Sequence, residues 1–189
     1  MFHADQIREW QRRIALEDDE IAYRELFVVF YKPLLQFAFS FVRSHETAEE
    51  IVSDVFINIW EKRRQLEAIQ RLKVYLYVAT KNRSLKYLLK QQKQAAVTID
   101  DLLVEPESQY HNPEQLMVTA EMLQRIEAAI NGLPPRCKAI FKLVREDGLK
   151  YKEIAEILNV SVKTIDNQLA IALTKIANTI KVTFRKTPR

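Results

Sequence analysis

The stretch Tyr151 to Ala172 reads YKEIAEILNVSVKTIDNQLAIA. It divides into a short helix, Tyr151 to Leu158, a three-residue turn, Asn159-Val160-Ser161, and a second helix from Val162. Ile154, Ala155, Leu158, Val160, Ile165 and Leu169 fall where two crossed helices share a core. Ala155 is small enough for close approach, Asn159 tolerates the left-handed backbone such a turn needs, and Ser161 is a good N-cap. This is a helix-turn-helix pattern. It suits DNA because a helix fits the major groove with its N-terminal residues facing base edges. The exposed candidates are Ser161, Lys163, Thr164, Asp166, Asn167 and Gln168. Asn and Gln can pair with adenine, Asp can accept from cytosine, and Lys suits phosphate or guanine. A plain helical hairpin within a bundle would carry much the same pattern.

Working outward, Asp147-Gly148 marks a turn before this motif, and Pro134-Pro135 opens a helix that runs through Arg145. The helix before it stops at Asn131-Gly132 and starts at Asn112-Pro113-Glu114-Gln115, an N-cap followed by proline at the first helical position. Upstream, Gln94 to Glu114 has no Lys or Arg but holds Asp100, Asp101, Glu105, Glu107 and Glu114 with Pro106 and Pro113. It reads as an acidic linker. The domain boundaries that follow are 1–93, a linker over 94–113, and 114–183.

Before the linker the charge reverses. Ten cations stand against two acids from Glu61 to Lys93, a net of +8, and Arg83, Lys86, Lys90 and Lys93 recur at helical spacing on a helix from Leu72 to Lys90. Tyr75, Tyr77 and Tyr87 are interleaved. The helix before it has the cleanest periodicity in the chain: Ala48, Ile51, Val52, Val55, Phe56, Ile59 and Trp60 follow the i, i+3, i+4 rule. Ser44 or Thr47 can cap it. Its opposite face carries Ser53, Asp54, Asn58 and Glu61, with Ile57 among them. One exposed isoleucine is ordinary on any surface, and it is equally what a partner contact looks like. Further upstream, Glu20 to Val42 is a second helix dense in aromatics that read as core, with Pro33 as a candidate kink. Asp5 to Leu16 is a first, with Ile7, Trp10 and Ile14 on one side.

Composition agrees with an all-α chain. Only Gly132 and Gly148 are glycine among 189 residues, whereas β-rich folds spend glycine on turns. Apolar content of 48% supports packed cores, and the formal charge of +4 is compatible with a polyanionic partner without establishing one. A single cysteine, Cys137, forms no internal disulfide and fits a reducing compartment. The N-terminus lacks a signal-peptide profile and the apolar runs are short, so a cytoplasmic location is expected. There is no glycine-rich phosphate loop, no Cys/His metal spacing and no nucleophile–base set; His3, His45 and His111 are scattered. No enzymatic activity, metal or cofactor is therefore expected.

Taken in order, several segments resemble the RNA polymerase sigma factors, specifically the compact extracytoplasmic-function group of the sigma-70 superfamily. AYRELF (Ala22 to Phe27) resembles the opening of the family's second region, and AEEIVSDVFINIWEKR (Ala48 to Arg63) its polymerase-binding helix. YLYVATKNRSLKYLLK (Tyr75 to Lys90) resembles its promoter-opening helix. Leu133 to Gln168 resembles its fourth region. The resemblance covers about residues 10 to 180. It implies two helical domains joined by a flexible linker.

The resemblance also implies roles. Ser53, Asp54, Ile57, Asn58 and Glu61 would dock on the β′ clamp coiled coil of core RNA polymerase, with the β flap as a further polymerase contact. Arg63, Arg64, Arg71, Tyr75, Tyr77, Lys81, Asn82, Arg83, Lys86 and Lys90 would hold the −10 promoter element as single-stranded DNA. The Val162 helix would read the −35 element, the linker would thread the polymerase interior, and an anti-sigma factor, in many family members membrane-embedded, would restrain the protein. Opening four stacked steps costs about 6 kcal/mol at ~1.4 each, and stacking one base on an aromatic returns about 1–3 kcal/mol. A few tyrosines can trap an opening but not drive a bubble, so the free protein is expected to bind promoters weakly. The sequence departs from the family at Lys150, where Ser or Thr would complete a capping box, and at Ser53, where Gln is common. Ala170 and Ile171 stand where a basic residue is frequent.

Three other readings compete: a helix-turn-helix regulator that acts without polymerase, an enzyme, and a helical adaptor acting only through protein contacts. The first leaves the Ala48–Arg63 surface unused.

Overall fold

The computed structural model describes residues 4–92 and 117–184, and every regular element among them is helical. The chain divides into two compact units, Met1–Leu102 and Leu103–Arg189. The expected linker over 94–113, Lys93, His3, His111 and the start signal at Asn112 to Gln115 lie outside the described residues.

The first unit holds α1 (Ala4–Glu17), α2 (Glu20–Val42), α3 (His45–Glu61), a 3-10 helix (Arg63–Ala68) and α4 (Leu72–Gln92). Helix α2 is its centre and packs against α1, α3 and α4. Asp19 starts it by accepting from the Ile21 and Ala22 N–H groups at 2.8 and 3.0 Å, while its other oxygen takes Arg13 at 2.6 Å. Pro33 does not divide the helix, which stays continuous to Val42. A proline removes one backbone bond and crowds the turn before it; here Phe30, Leu34 and Phe37, buried on both sides of it, hold the helix together. Arg43 ends the helix with a left-handed backbone, φ 59°.

By length and composition α2 is apolar enough to cross a bilayer, which the sequence reading of short apolar runs overlooked. Its Leu26, Phe30, Leu34, Phe37, Ala38 and Phe41 are buried against its neighbours, so the fold uses it as a core helix.

On α3 the expected periodic row is buried from Ala48 to Ile59. Ser44, not Thr47, caps it: Ser44 Oγ accepts from the Thr47 N–H at 3.2 Å, and the Thr47 hydroxyl instead meets the Tyr87 hydroxyl at 3.3 Å. Phe56 is almost fully buried and touches Tyr23 and Phe27, a burial worth about 1.5–3 kcal/mol. The stretch after α3 is a 3-10 helix. The buried Gln11 ties it to α1 by donating to the carbonyls of Leu66 and Ile69, the latter at 2.6 Å.

The second unit holds α5 (Met117–Asn131), α6 (Pro135–Arg145), α7 (Tyr151–Leu158) and α8 (Val162–Phe184). Helix α8 is the spine on which the other three pack. Ile165, Leu169 and Ala172 form its buried row, facing a core that includes Leu133, Cys137, Ile140, Ile154 and Ile157. Ile157 is fully buried, whereas the expected core residues Leu158 and Val160 are half-buried. An eight-residue helix crossing another presents a narrow stripe, and the 154/157 pair lies on its centre.

Candidate nucleic-acid interface

The joint between α7 and α8 sets the geometry of the second unit. Asn159 takes the left-handed conformation, φ 55° and ψ 50°, which turns the chain out of α7. The Val160 N–H then closes on the Ala155 carbonyl at 3.0 Å. Ser161 Oγ accepts from the Thr164 N–H at 3.0 Å and lies 2.8 Å from the Thr164 hydroxyl. At the start of α7, Lys150 offers no acceptor, yet half a capping box survives: Glu153 accepts from the Lys150 N–H at 2.7 Å. The box expected to be lost is therefore only halved.

Of the six residues expected to face a groove, Lys163, Asp166 and Asn167 stand exposed on the outer side of α8. Ser161 is exposed and Thr164 half-buried, and both hydroxyls are engaged at the helix start. Gln168 turns the other way. It is half-buried, and its Oε1 accepts from Cys137 Sγ at 2.7 Å. Burial pushes the Cys137 thiol up from its ordinary value, with Lys175 and Arg136 opposing in part.

In the first unit the basic helix α4 sorts its residues sharply. Tyr77 is fully buried, 0% exposed, with its ring 5.1 Å from that of Phe37. It is a core residue in this structure and no platform for an extruded base, which corrects the sequence expectation. Tyr75 is half-buried. Thr80 and Ser84 bury their hydroxyls on α4's own carbonyls, Leu76 and Thr80, at 2.9 Å each. This leaves Asn82, Lys86 and Lys90 exposed on the other side. Lys81 is half-buried, and desolvation lowers its pKa.

Arg63 and Arg83, both expected DNA contacts, are engaged within the protein. Arg63 lies over the Trp60 ring, 4.7 Å from its centroid, donates to the Trp60 carbonyl at 3.0 Å and pairs with Asp18. Arg83 Nη1 donates to Asp54 Oδ2 at 2.6 Å. Arg64 and Arg71 are exposed. On the outer face of α3, Asp54, Ile57 and Glu61 are exposed and Ser53 and Asn58 half-buried; Ile57 is 54% exposed among these polar side chains. The structure thus brings the two expected surfaces of this unit into contact at Asp54–Arg83.

Sequence reasoning missed Asp18, the Trp60–Arg63 stack and the Cys137–Gln168 bond. Arg63 and Asp18 are 45 residues apart and Cys137 and Gln168 31 apart, so no local spacing announces either pair. Among the described residues no group of three His, Cys, Asp or Glu side chains converges.

A helix-turn-helix on one unit and a basic helix beside an exposed polar face on another define an all-α DNA-binding transcription factor. The comparisons narrow this. Residues 26–94 match the family description "Sigma-70 region 2" and residues 123–176 match "Sigma-70, region 4". The ECF RNA polymerase sigma-E factor of Escherichia coli K12 is 24% identical over 176 residues, covering 89% of this chain and 91% of that protein. The ferric citrate uptake sigma factor FecI of the same organism is 27% identical over 126 residues, covering 67% and 72%. Two solved structures share the fold. CnrH in complex with the cytosolic domain of CnrY has a TM-score of 0.55 at 17% identity, covering 94% of this chain and 99% of that one. The sigma factor RpoE in complex with the anti-sigma factor NepR, from Bartonella quintana, has a TM-score of 0.56 at 24% identity, covering 85% and 97%. The chain belongs to the sigma-70 family of RNA polymerase sigma factors, in its extracytoplasmic-function group. It is a sigma factor that directs promoter-specific initiation of transcription.

Proposed function

We propose how this chain divides that work among its residues. The domain expected over residues 1–93, within the first unit, docks on core RNA polymerase through Asp54, Ile57, Asn58 and Glu61, with Ser53 at the margin, and the β′ clamp coiled coil is the receiving surface. The same unit captures the −10 element as a single strand on Arg64, Arg71, Tyr75, Asn82, Lys86 and Lys90. Arg83 joins them when Asp54 is occupied by polymerase, and Lys81 lies behind this row. Residues 114–183 read the −35 element as duplex through Lys163, Asp166 and Asn167 and meet the β flap, with 94–113 as the tether. No bond is made or broken by the chain itself, and it works in the cytoplasm without cofactor.

One observation carries this reading. Lys163, Asp166 and Asn167 project exposed from the start of α8, while Ile165 and Leu169 hold that helix from behind. This is the presentation a major groove requires. An anti-sigma partner is supported by the similar sigma factor RpoE, whose solved structure is a complex with the anti-sigma factor NepR.

The test is runoff transcription with core polymerase on genomic DNA. Wild type is expected to confer selective start sites. Ile57→Asp, which puts a charge in an apolar contact, is expected to lose co-purification with core enzyme. Asn167→Ala should retain co-purification but lose about 1–3 kcal/mol of discrimination at one −35 base pair. Unchanged start-site selection in Asn167→Ala would remove Asn167 from the reading set.

A further inference from the structure

The bond between Cys137 and Gln168 sorts the groove-facing residues by chemistry. On α8, buried Ile165, Leu169 and Ala172 define the inward line, and exposed Lys163 and Asn167 the outward one. Successive residues are about 100° apart, so Gln168 sits a quarter-turn round from Asn167, on the flank against α6. A helix about 10–12 Å across fills a major groove about 12 Å wide. Its outward line then faces the base edges, and its flanks face the phosphate walls.

The Gln168 amide has an accepting end and a donating end. Cys137 is buried, and its thiol is the donor in the bond between the two side chains. Its proton goes to Gln168 Oε1 at 2.7 Å. The carbonyl is thereby turned inward and the NH2 group becomes the free end. A donor-only end cannot make the two-bond pair with adenine, which needs an acceptor and a donor together. It does match a phosphate oxygen, which only accepts.

We propose that Gln168 is a phosphate clamp and not a base reader, and that Cys137 is the positioning residue that fixes its polarity. Adenine recognition is then left to Asn167. The proposal rests on the reading of α8 as the groove helix, and the two can fail separately.

The experiment uses the full chain with core polymerase and a duplex pool randomised over the upstream promoter region. Yield and sequence preference are scored together, and each variant's thermal midpoint is checked against wild type. Gln168→Ala is expected to lower initiation about threefold to tenfold, the effect of one hydrogen bond, with the ranked sequence preference unchanged. Gln168→Glu, which turns an anionic oxygen toward phosphate, should fall further. Cys137→Ala should reproduce the Gln168→Ala loss and add nothing in the Gln168→Ala background. Cys137→Ser, whose hydroxyl can still donate, should restore wild-type behaviour. Three results would overturn the proposal: an altered preference at a single base pair in Gln168→Ala, no loss in that variant, or an additional loss from Cys137→Ala on top of it. If neither Asn167→Ala nor Asp166→Ala changes preference, the groove-helix reading itself fails, and that outcome is independent of the Gln168 variants.

Discussion

The two units hold their functional side chains in opposite ways. In the first, candidate contacts are tied into the protein: Arg83 to Asp54, Arg63 to Asp18 and Trp60, and Tyr77 into the core against Phe37. In the second, Lys163, Asp166 and Asn167 stand exposed on a helix braced from behind. Recognising duplex requires little more than a rigid face at the right depth, because the base edges are already on display in the groove. Capturing a single strand is different, since bases must first be unstacked at a cost of about 1.4 kcal/mol per step. In the first unit Arg63 and Arg83 are held by its own acids, Asp18 and Asp54. On the proposed division of labour, this contrast is consistent with the expectation, drawn from the unstacking cost, that the free protein binds promoters weakly.

The largest test of the contrast is Tyr77→Ala. If Tyr77 is core, the variant loses about 3–5 kcal/mol of stability, read from denaturant unfolding. Tyr75→Ala should leave unfolding nearly unchanged and impair promoter opening; a stable Tyr77→Ala protein defective only in opening would break the contrast. Next comes Lys150→Ser, which completes the half-formed capping box and should raise stability by about 0.5–1 kcal/mol, visible as a higher midpoint for the second unit. Smaller still is Asp54→Asn. An exposed pair is worth about 0.2–1 kcal/mol, so freeing Arg83 should strengthen single-stranded DNA binding by the free protein up to about fivefold at low salt, and the gain should vanish in Arg83→Gln. No gain would mean that the pair restrains nothing.

The smallest effect concerns pH. The Ala22 N–H, with Arg13, holds the Asp19 carboxyl below its ordinary value against an opposing desolvation. A depressed carboxylate contributes stability above its unfolded pKa and loses it as pH falls through the folded one. Asp19→Asn still caps α2 but no longer titrates, so the acid side of the first unit's stability profile should become shallower, as followed by circular dichroism.

What the sequence disclosed, and what it withheld, follows the range of the interactions. Helix α2 was placed to the residue by its dense run of aromatics, and α6 by Pro134-Pro135, a signal that acts locally. The left-handed Asn159 and the Ser161 cap were legible for the same reason. Tyr77 was misread because a tyrosine in a basic helix looks like a stacking platform; only the packing of α2 on α4 shows that its ring faces Phe37. Gln168 was read as a base contact because its partner Cys137 lies on another helix, and residue types alone gave no reason to join them. Ile57 was legible as an oddity, since apolar periodicity predicts where it should not be, and its exposure matches that reading.

Helix α2 carries a consequence for how the chain is made. Its apolar row is covered largely by α3 and α4, which follow it in the chain. At a synthesis rate of about 5–20 residues per second, the roughly 50 residues from Arg43 to Gln92 take about 2.5–10 s to leave the ribosome. For that interval a segment of membrane-spanning length has only α1, and later α3, to cover it, and its apolar row is closed last, when α4 arrives.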